Sequence, residues 1–347
     1  MSKWLNTSLN KHVGHILINR PEVLNAMNHQ MNLELLYFLE AQEKNDACHA
    51  YLIEGVGEKA FCAGGDIRAL YDYLNSPHQE VNDLLTHFFV QEYRLNQIIH
   101  DLTKPYIAIL DGYVMGGGAG ISINGSHPIA TDKTLFSMPE NKIGHFPDVG
   151  ATYFFQRCPK GLGLYLALTG ETLNGHEMVY ANLAKAFVSS QDLDAFKQDI
   201  FDGKLIDQLL DQYDAYDETQ IDWDKMAWIA KHFESPDSFE TLMSRLEKDD
   251  TPYALQFWER FSKLSLLSVY LTFNKFYKNE NKTLKKALED DLFYAINITR
   301  VGDFKEGVRA LIVDKDGAPD FLYKKISELE KNFIDINFKL VYDECTV

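Results

Sequence analysis

Positive charge is scarce in this 347-residue chain: 34 Lys and Arg stand against 51 Asp and Glu, a formal net charge of −17 with a sequence pI near 5.0. A surface of that sign repels phosphate over most of its area, which argues against nucleic acid as a partner and requires a local basic patch for any phosphate-bearing ligand. Cysteine is nearly absent. Cys48, Cys62, Cys158 and Cys345 are scattered without paired or metal-ligand spacing, which excludes a disulfide framework or zinc site and fits a reducing compartment. Charges interrupt every apolar run before it reaches the length of a membrane span. Met1 to Asn10 has neither an apolar signal core nor arginine-rich amphipathic character, and Glu344-Cys345-Thr346-Val347 matches no lipidation or peroxisomal signal. A cytoplasmic protein is the default expectation.

What the chain does have is 46% hydrophobic residues, enough for a core in one large domain or two ordinary ones. A short apolar strand at His15 to Ile18 ends at Asn19-Arg20-Pro21. Asn28 then opens a helical pattern through Leu33, Leu36, Leu39 and Glu40. Ala50 to Ile53 and Tyr106 to Leu110 read as buried strands, the first closing in Gly55-Val56-Gly57 and the second in Asp111-Gly112. Val81 to Leu102 has helical spacing. Strand alternating with helix predicts an α/β fold. After about Ser190 glycine becomes scarce and helical spacing dominates, with amphipathic segments at Lys204 to Tyr213, Ser238 to Leu246 and Tyr253 to Leu271. Ser235-Pro236-Asp237 is a helix-start signal, and the charge-rich Lys278 to Lys285 reads as a solvated connection.

Two glycine turns carry chemistry. Met115-Gly116-Gly117-Gly118-Ala119-Gly120 follows a strand and precedes a helix-like run, and Gly64-Gly65 precedes Asp66-Ile67-Arg68 in the same way. At such a turn the first helical N–H groups are unpaired, so a reacting carbonyl held between two of them is stabilised as its oxygen becomes negative. Glycine clusters also occur where helix and strand merely pack closely. Glu140 and Asp148 flank the bent loop Asn141-Lys142-Ile143-Gly144-His145-Phe146-Pro147, a placement that can bring two carboxylates into one pocket; loop carboxylates are also often idle. His145 reads equally as a base or as a histidine hydrogen-bonded in its loop, and is left out of the mechanism. Phe136, Phe146, Tyr153, Phe154 and Phe155 read as pocket wall and core, and Cys62 as packing.

These residues resemble the crotonase (enoyl-CoA hydratase and isomerase) superfamily. Asn19-Arg20-Pro21 with Leu24-Asn25-Ala26-Met27, then Lys59 to Arg68, then Met115 to Gly118 follow its pattern in order. The 3-hydroxyisobutyryl-CoA hydrolase branch is suggested by Met138-Pro139-Glu140, by Ile143-Gly144 with Phe146-Pro147-Asp148-Val149-Gly150, and by Glu92-Tyr93-Arg94-Leu95-Asn96. The late motif Asp303-Phe304-Lys305-Glu306-Gly307-Val308-Arg309-Ala310 with Asp314-Lys315-Asp316 points the same way. The resemblance implies a spiral of ββα units, with residues 1–190 as an acyl-CoA-binding core and a mainly helical region, 191–347, covering or completing the active site.

It further implies that Gly65 and Gly117 supply the oxyanion-hole N–H groups, that Glu140 and Asp148 form the catalytic pair, and that Glu92 lines the substrate site. Arg68 matches a basic residue near the ribose phosphate of CoA. One departure is informative: the first of the two glutamates that hydratases use falls at Gly120, which has no side chain. The expected activity is therefore hydrolysis of a short 3-hydroxyacyl-CoA thioester, of the kind met in valine degradation, to the free hydroxy acid and CoA. The rivals are a hydratase or double-bond isomerase on the same scaffold and a non-catalytic acyl-CoA-binding protein. CoA is part of the substrate, no metal or redox cofactor is expected, and a homo-oligomer is possible.

Overall fold

The computed structural model describes residues 3–75, 81–329 and 338; Cys345 and the C-terminal Glu344-Cys345-Thr346-Val347 lie outside them. The chain divides into two compact units, each built from three segments: Met1–Gly65, Gln91–Ser137 and Thr172–Ile221 in the first, Asp66–Val90, Met138–Glu171 and Asp222–Val347 in the second.

The first unit holds two sheets, fed alternately by the chain. Strands β1 (Leu5–Asn10), β2 (Val13–Ile18), β3 (Ala50–Gly55), β5 (Tyr106–Leu110), β7 (His127–Ala130) and β10 (Ala186–Phe187) lie in that order in a six-stranded sheet. Its strand pairs are parallel except for the β1–β2 hairpin. The short strands β4 (Ala60–Cys62), β6 (Tyr113–Met115), β8 (Leu135–Ser137) and β9 (Leu173–Asn174) form the second sheet. Each long strand β3, β5 and β7 thus leads into a short one and then into helical structure, the repeated ββα unit. Strands covered on both faces need apolar side chains throughout, and all five residues of Tyr106–Leu110 are buried. Leu52, Ile107, Ile109 and Ile129 form a core with Phe196, Ile200, Leu209 and Leu210 from the two helices that follow β10.

Helix α1 (His29–Glu43) starts where Asn28 accepts the Met31 N–H, at 2.9 Å. Helix α2 (Ile67–Leu74) is capped in the same way by Asp66, α3 spans Val81–Asp101, and α4 is the single turn Gly117–Gly120. Among the described residues no helix is long and apolar enough to cross a membrane.

The second unit is helical. Leu162–Thr169 is buried on every side, as a helix apolar all round must be, and it touches helices Ala151–Phe155, Trp223–Phe233, Pro252–Phe261 and Leu266–Lys278. The stretch expected to run as one helix from Tyr253 to Leu271 is instead two, broken at Ser262–Ser265. Ser265 caps the second helix by accepting the Ser268 N–H at 3.1 Å, and its own N–H donates to the Asn141 carbonyl at 3.0 Å. Ser235 stands in left-handed backbone and Ser238 is the actual cap of Phe239–Leu246.

Close backbone approach sets the geometry of α4. A Cβ on Gly118 would stand 2.2 Å from the Cys62 carbonyl oxygen at the end of β4, and neither backbone can yield. Gly118→Ala is therefore expected to lower the urea-unfolding free energy by about 1–3 kcal/mol or more, the usual cost of overpacking; an unchanged midpoint would show that α4 and β4 separate easily.

Candidate active site

The first unit assembles the two glycine turns with Glu92. Gly64 lies at φ +109°, and its carbonyl accepts the Met27 N–H at 2.8 Å in the bridge that pins this turn to the residue before Asn28. Gly117 is the first residue of α4, so its N–H has no acceptor one turn back. An ideal Cβ on Gly117 would lie 3.2 Å from the Gly65 nitrogen and 2.5 Å from Glu92 Oε1. The two turns and the buried Glu92 carboxylate, carried by α3, therefore share one small space. Cys62 is fully buried beside it, its Sγ–H directed at the Gly64 carbonyl at 3.6 Å, and burial pushes the thiol pKa up to about 12. A thiol so raised is packing, as expected.

Glu140, Asp148 and His145 belong to the second unit. Glu140 is buried at the start of the 3-10 turn Glu140–Ile143, whose neighbours hold it rigidly. The Asn141 amide donates to the Ala167 and Leu168 carbonyls at 2.8 and 3.1 Å, and its oxygen accepts from the Thr272 hydroxyl at 3.1 Å. The late motif packs against the same turn. A Cβ on Gly144 would overlap the Asp303 backbone at 2.3 Å, and one on Gly307 would overlap that of Ile143 at 2.4 Å. Asp303 accepts from the Ser265 hydroxyl at 2.6 Å and the Leu322 N–H at 2.7 Å, while burial pushes its carboxyl pKa up. Arg309 clamps Glu306, Asp314 and Asp316 at 2.6–2.8 Å. The late motif, read from sequence only as a signature, is thus the buttress of the Glu140 turn.

Asp148 is buried on the loop that runs into helix Ala151–Phe155. The next residue, Val149, is held at φ +51°, a conformation that a β-branched residue adopts only when its surroundings impose it. Asp291 does part of that. One of its oxygens accepts the Gly150 N–H at 2.8 Å and the other accepts from Lys275, whose ammonium also lies 4.5 Å from the centre of the Phe146 ring. Both charged side chains have 0% exposure. Burial pulls the Lys275 ammonium down to about 7, against the attraction of Asp148 and Asp290. His145 is buried, with Nδ1 on the Phe146 carbonyl at 2.9 Å and its ring stacked between Phe89 and Phe146, and burial lowers its pKa. The contact expected of a histidine hydrogen-bonded in its own loop is present.

Arg68 sits on α2 with 55% of its side chain exposed, 3.5 Å from Asp72. Lys275 and Asp291 were missed by sequence reasoning, although a signal exists. Lys275 follows Leu267 and Leu271 at intervals of four, and Asp291 interrupts the stripe Leu284, Leu288, Ala295 and Ile298; a charge on an apolar stripe marks a buried partner. Among the described residues no three His, Cys, Asp or Glu side chains gather as metal ligands.

A family model described as enoyl-CoA hydratase/isomerase matches residues 13–338. The chain is 36% identical over 337 residues to a "3-hydroxyisobutyryl-CoA hydrolase, mitochondrial" of Gallus gallus, covering 94% of this chain and 86% of the relative. It is 36% identical to the protein of that name from Dictyostelium discoideum, covering 93% and 88%. Among solved structures it resembles a carnitinyl-CoA dehydratase from Mycobacterium thermoresistibile (TM-score 0.91, 28% identity, 99% of both chains). An enoyl-CoA hydratase from Rhodobacter sphaeroides is similar as well (TM-score 0.89, 26% identity, 98% of both chains). The relatives' names overturn the cytoplasmic expectation, since each is called mitochondrial. That expectation was a default drawn from the lack of a recognised signal, and such a lack imposes no physical constraint on where a protein works.

The glycine space makes a distinction that can be measured. Gly117→Ala keeps its backbone N–H but puts a Cβ where the Glu92 carboxylate lies and 3.2 Å from the Gly65 nitrogen. As the space beside the two turns is filled, kcat/KM for acyl-CoA is expected to fall by about tenfold or more, with a loss of about 1–3 kcal/mol in stability, the usual cost of overpacking. Full activity in the folded variant would remove this turn from the site.

Proposed function

The chain belongs to the enoyl-CoA hydratase/isomerase family, and from that premise we propose that it hydrolyses a short 3-hydroxyacyl-CoA thioester of the 3-hydroxyisobutyryl-CoA type, releasing the hydroxy acid and CoA. The observation that carries the choice of reaction is the pairing of a bare Gly120, buried in α4 where a hydratase needs a glutamate, with a carboxylate at Asp148. The relatives named as hydrolases support the same choice across 93–94% of the chain. In this reading the thioester oxygen accepts from the N–H groups of Gly65 and Gly117, and Glu92 holds the substrate hydroxyl. Glu140 delivers the attacking oxygen, either by taking a proton from water or by attacking the carbonyl itself to give a mixed anhydride that water then opens. Asp148 orients or protonates the species opposite Glu140. Residues 1–190 form the acyl-CoA-binding core and residues 191–347 complete it. Lys275 and Asp291, which come from the latter stretch and bond to the Asp148 loop, support that completing role.

The deciding experiment offers the purified protein 3-hydroxyisobutyryl-CoA while following free thiol, and crotonyl-CoA while following enoyl absorbance. Thiol release with little hydration is expected, and the reverse would establish the hydratase reading. Glu140→Gln keeps the shape of the side chain and should lower kcat by about 10² to 10⁴ with acyl-CoA binding intact. A folded variant with near-normal hydrolysis would defeat this mechanism.

Arg68 is the proposed contact for a CoA phosphate. Because its guanidinium is more than half exposed and shared with Asp72, Arg68→Ala is expected to raise KM by at most about tenfold and leave kcat nearly unchanged. An unaltered KM would place the phosphate elsewhere.

A further inference from the structure

Lys275 and Asp291 lie outside every motif that suggested the reaction, yet they grip the Asp148 loop on both sides of that residue. On the side before it, the Lys275 ammonium rests against the face of Phe146, 4.5 Å from the ring centre. On the side after it, Asp291 takes the Gly150 N–H at 2.8 Å, and the pair is closed by the hydrogen bond from Lys275 to Asp291. Between these two attachments stand Asp148 and the left-handed Val149. A loop of five residues fixed at both ends has few conformations left, and the strained φ at Val149 is what the fixation imposes.

A buried ion pair is an inefficient way to stabilise a fold. Taking both ions out of water costs several kcal/mol each, and well-packed apolar residues of similar volume often do as well or better. Lys275 and Asp291 are fully buried on two different helices, Leu266–Lys278 and Leu284–Val301, where leucines would complete the apolar stripes. The directional groups they offer to Phe146 and Gly150 are what leucines cannot supply. The other charged or titratable groups acting on Lys275 are Asp148 and His145 from the loop, Asp290 beside Asp291, Lys278 one turn on, and Lys282 from the connection between the helices.

We propose that Lys275 and Asp291 are positioning residues for Asp148, an ion pair retained to aim that carboxylate rather than to hold the helices together. The proposal rests on the reading that Asp148 serves the hydrolysis of an acyl-CoA. It makes Asp148, Lys275 and Asp291 one functional unit whose loss shows in kcat and not in substrate binding.

The test is Lys275→Met combined with Asp291→Asn, which removes both charges so that neither is left buried alone and keeps an amide oxygen for the Gly150 N–H. Measured per folded molecule with 3-hydroxyisobutyryl-CoA, kcat is expected to fall by about ten- to a hundredfold while KM stays within about twofold, the pattern of an interaction that matters only in the transition state. Adding Asp148→Asn should cost little more, because groups acting as a unit are non-additive. Should that double variant not fold, Lys275→Gln with Asp291→Asn serves, since it also removes both charges and the ammonium on Phe146 while leaving the two side chains able to hydrogen-bond each other; the same split between kcat and KM is expected. Wild-type kcat in a folded variant, with Asp148→Asn itself impaired, overturns the positioning role and leaves the reaction standing. An unimpaired Asp148→Asn overturns the reading of the carboxylate, and this proposal with it.

Discussion

The first unit is organised by an approach of backbone to backbone that leaves no room for a side chain. With the α-carbon of Gly118 against the Cys62 carbonyl, the end of β4 and the start of α4 are locked at a distance only glycine permits. That contact brings Gly117 beside Gly65, and it draws Glu92 into the space that a Cβ on Gly117 would have taken. Parallel strands covered on both faces supply the rigid frame, and because each long strand feeds a short one, both glycine turns follow strands of the same small sheet. The positions of the Gly65 and Gly117 nitrogens are thereby set by the fold itself, as the proposed use of their N–H groups on a thioester oxygen requires.

The second unit solves a different problem, that of holding carboxylates out of water at defined positions. Glu140 begins a turn whose backbone is packed against Asp303 and Gly307 and whose Asn141 has both ends of its amide occupied. Asp148 stands on a loop anchored to buried charge. The aromatic rings of Phe89, Phe146 and Phe304 around His145 exclude water from the segment between them, and the histidine, kept neutral by burial, adds no charge of its own to compete with the carboxylates.

Much of this was legible in the sequence where the signal was local. Asn28 caps α1, Tyr106–Leu110 is a buried strand with the expected limits, and both glycine turns lie where strand gives way to helix. Strands β4, β6 and β8 have three residues each, too few for alternation to register, so the second sheet was invisible as such. The break at Ser262–Ser265 could not be read either, because the group that favours it is the carbonyl of Asn141, more than a hundred residues away. Lys275 and Asp291 were legible as charges on apolar stripes, but not their partners on the Asp148 loop, Phe146 and Gly150. Resemblance carried the site residues as candidates; it did not reach the residues that orient them, since those act through distant contacts.

The segmental make-up of the two units bears on how the chain is made. It passes from one unit to the other after residues 65, 90, 137, 171 and 221, so neither unit corresponds to a continuous stretch of polypeptide. The core of the first includes Leu209 and Leu210 together with Leu52. During synthesis the early strands must wait for those leucines to emerge, with apolar surface exposed for the time it takes to translate some 150 further residues. Apolar surface exposed for that interval is the condition under which a growing chain aggregates or engages chaperones, and here its length follows from the topology.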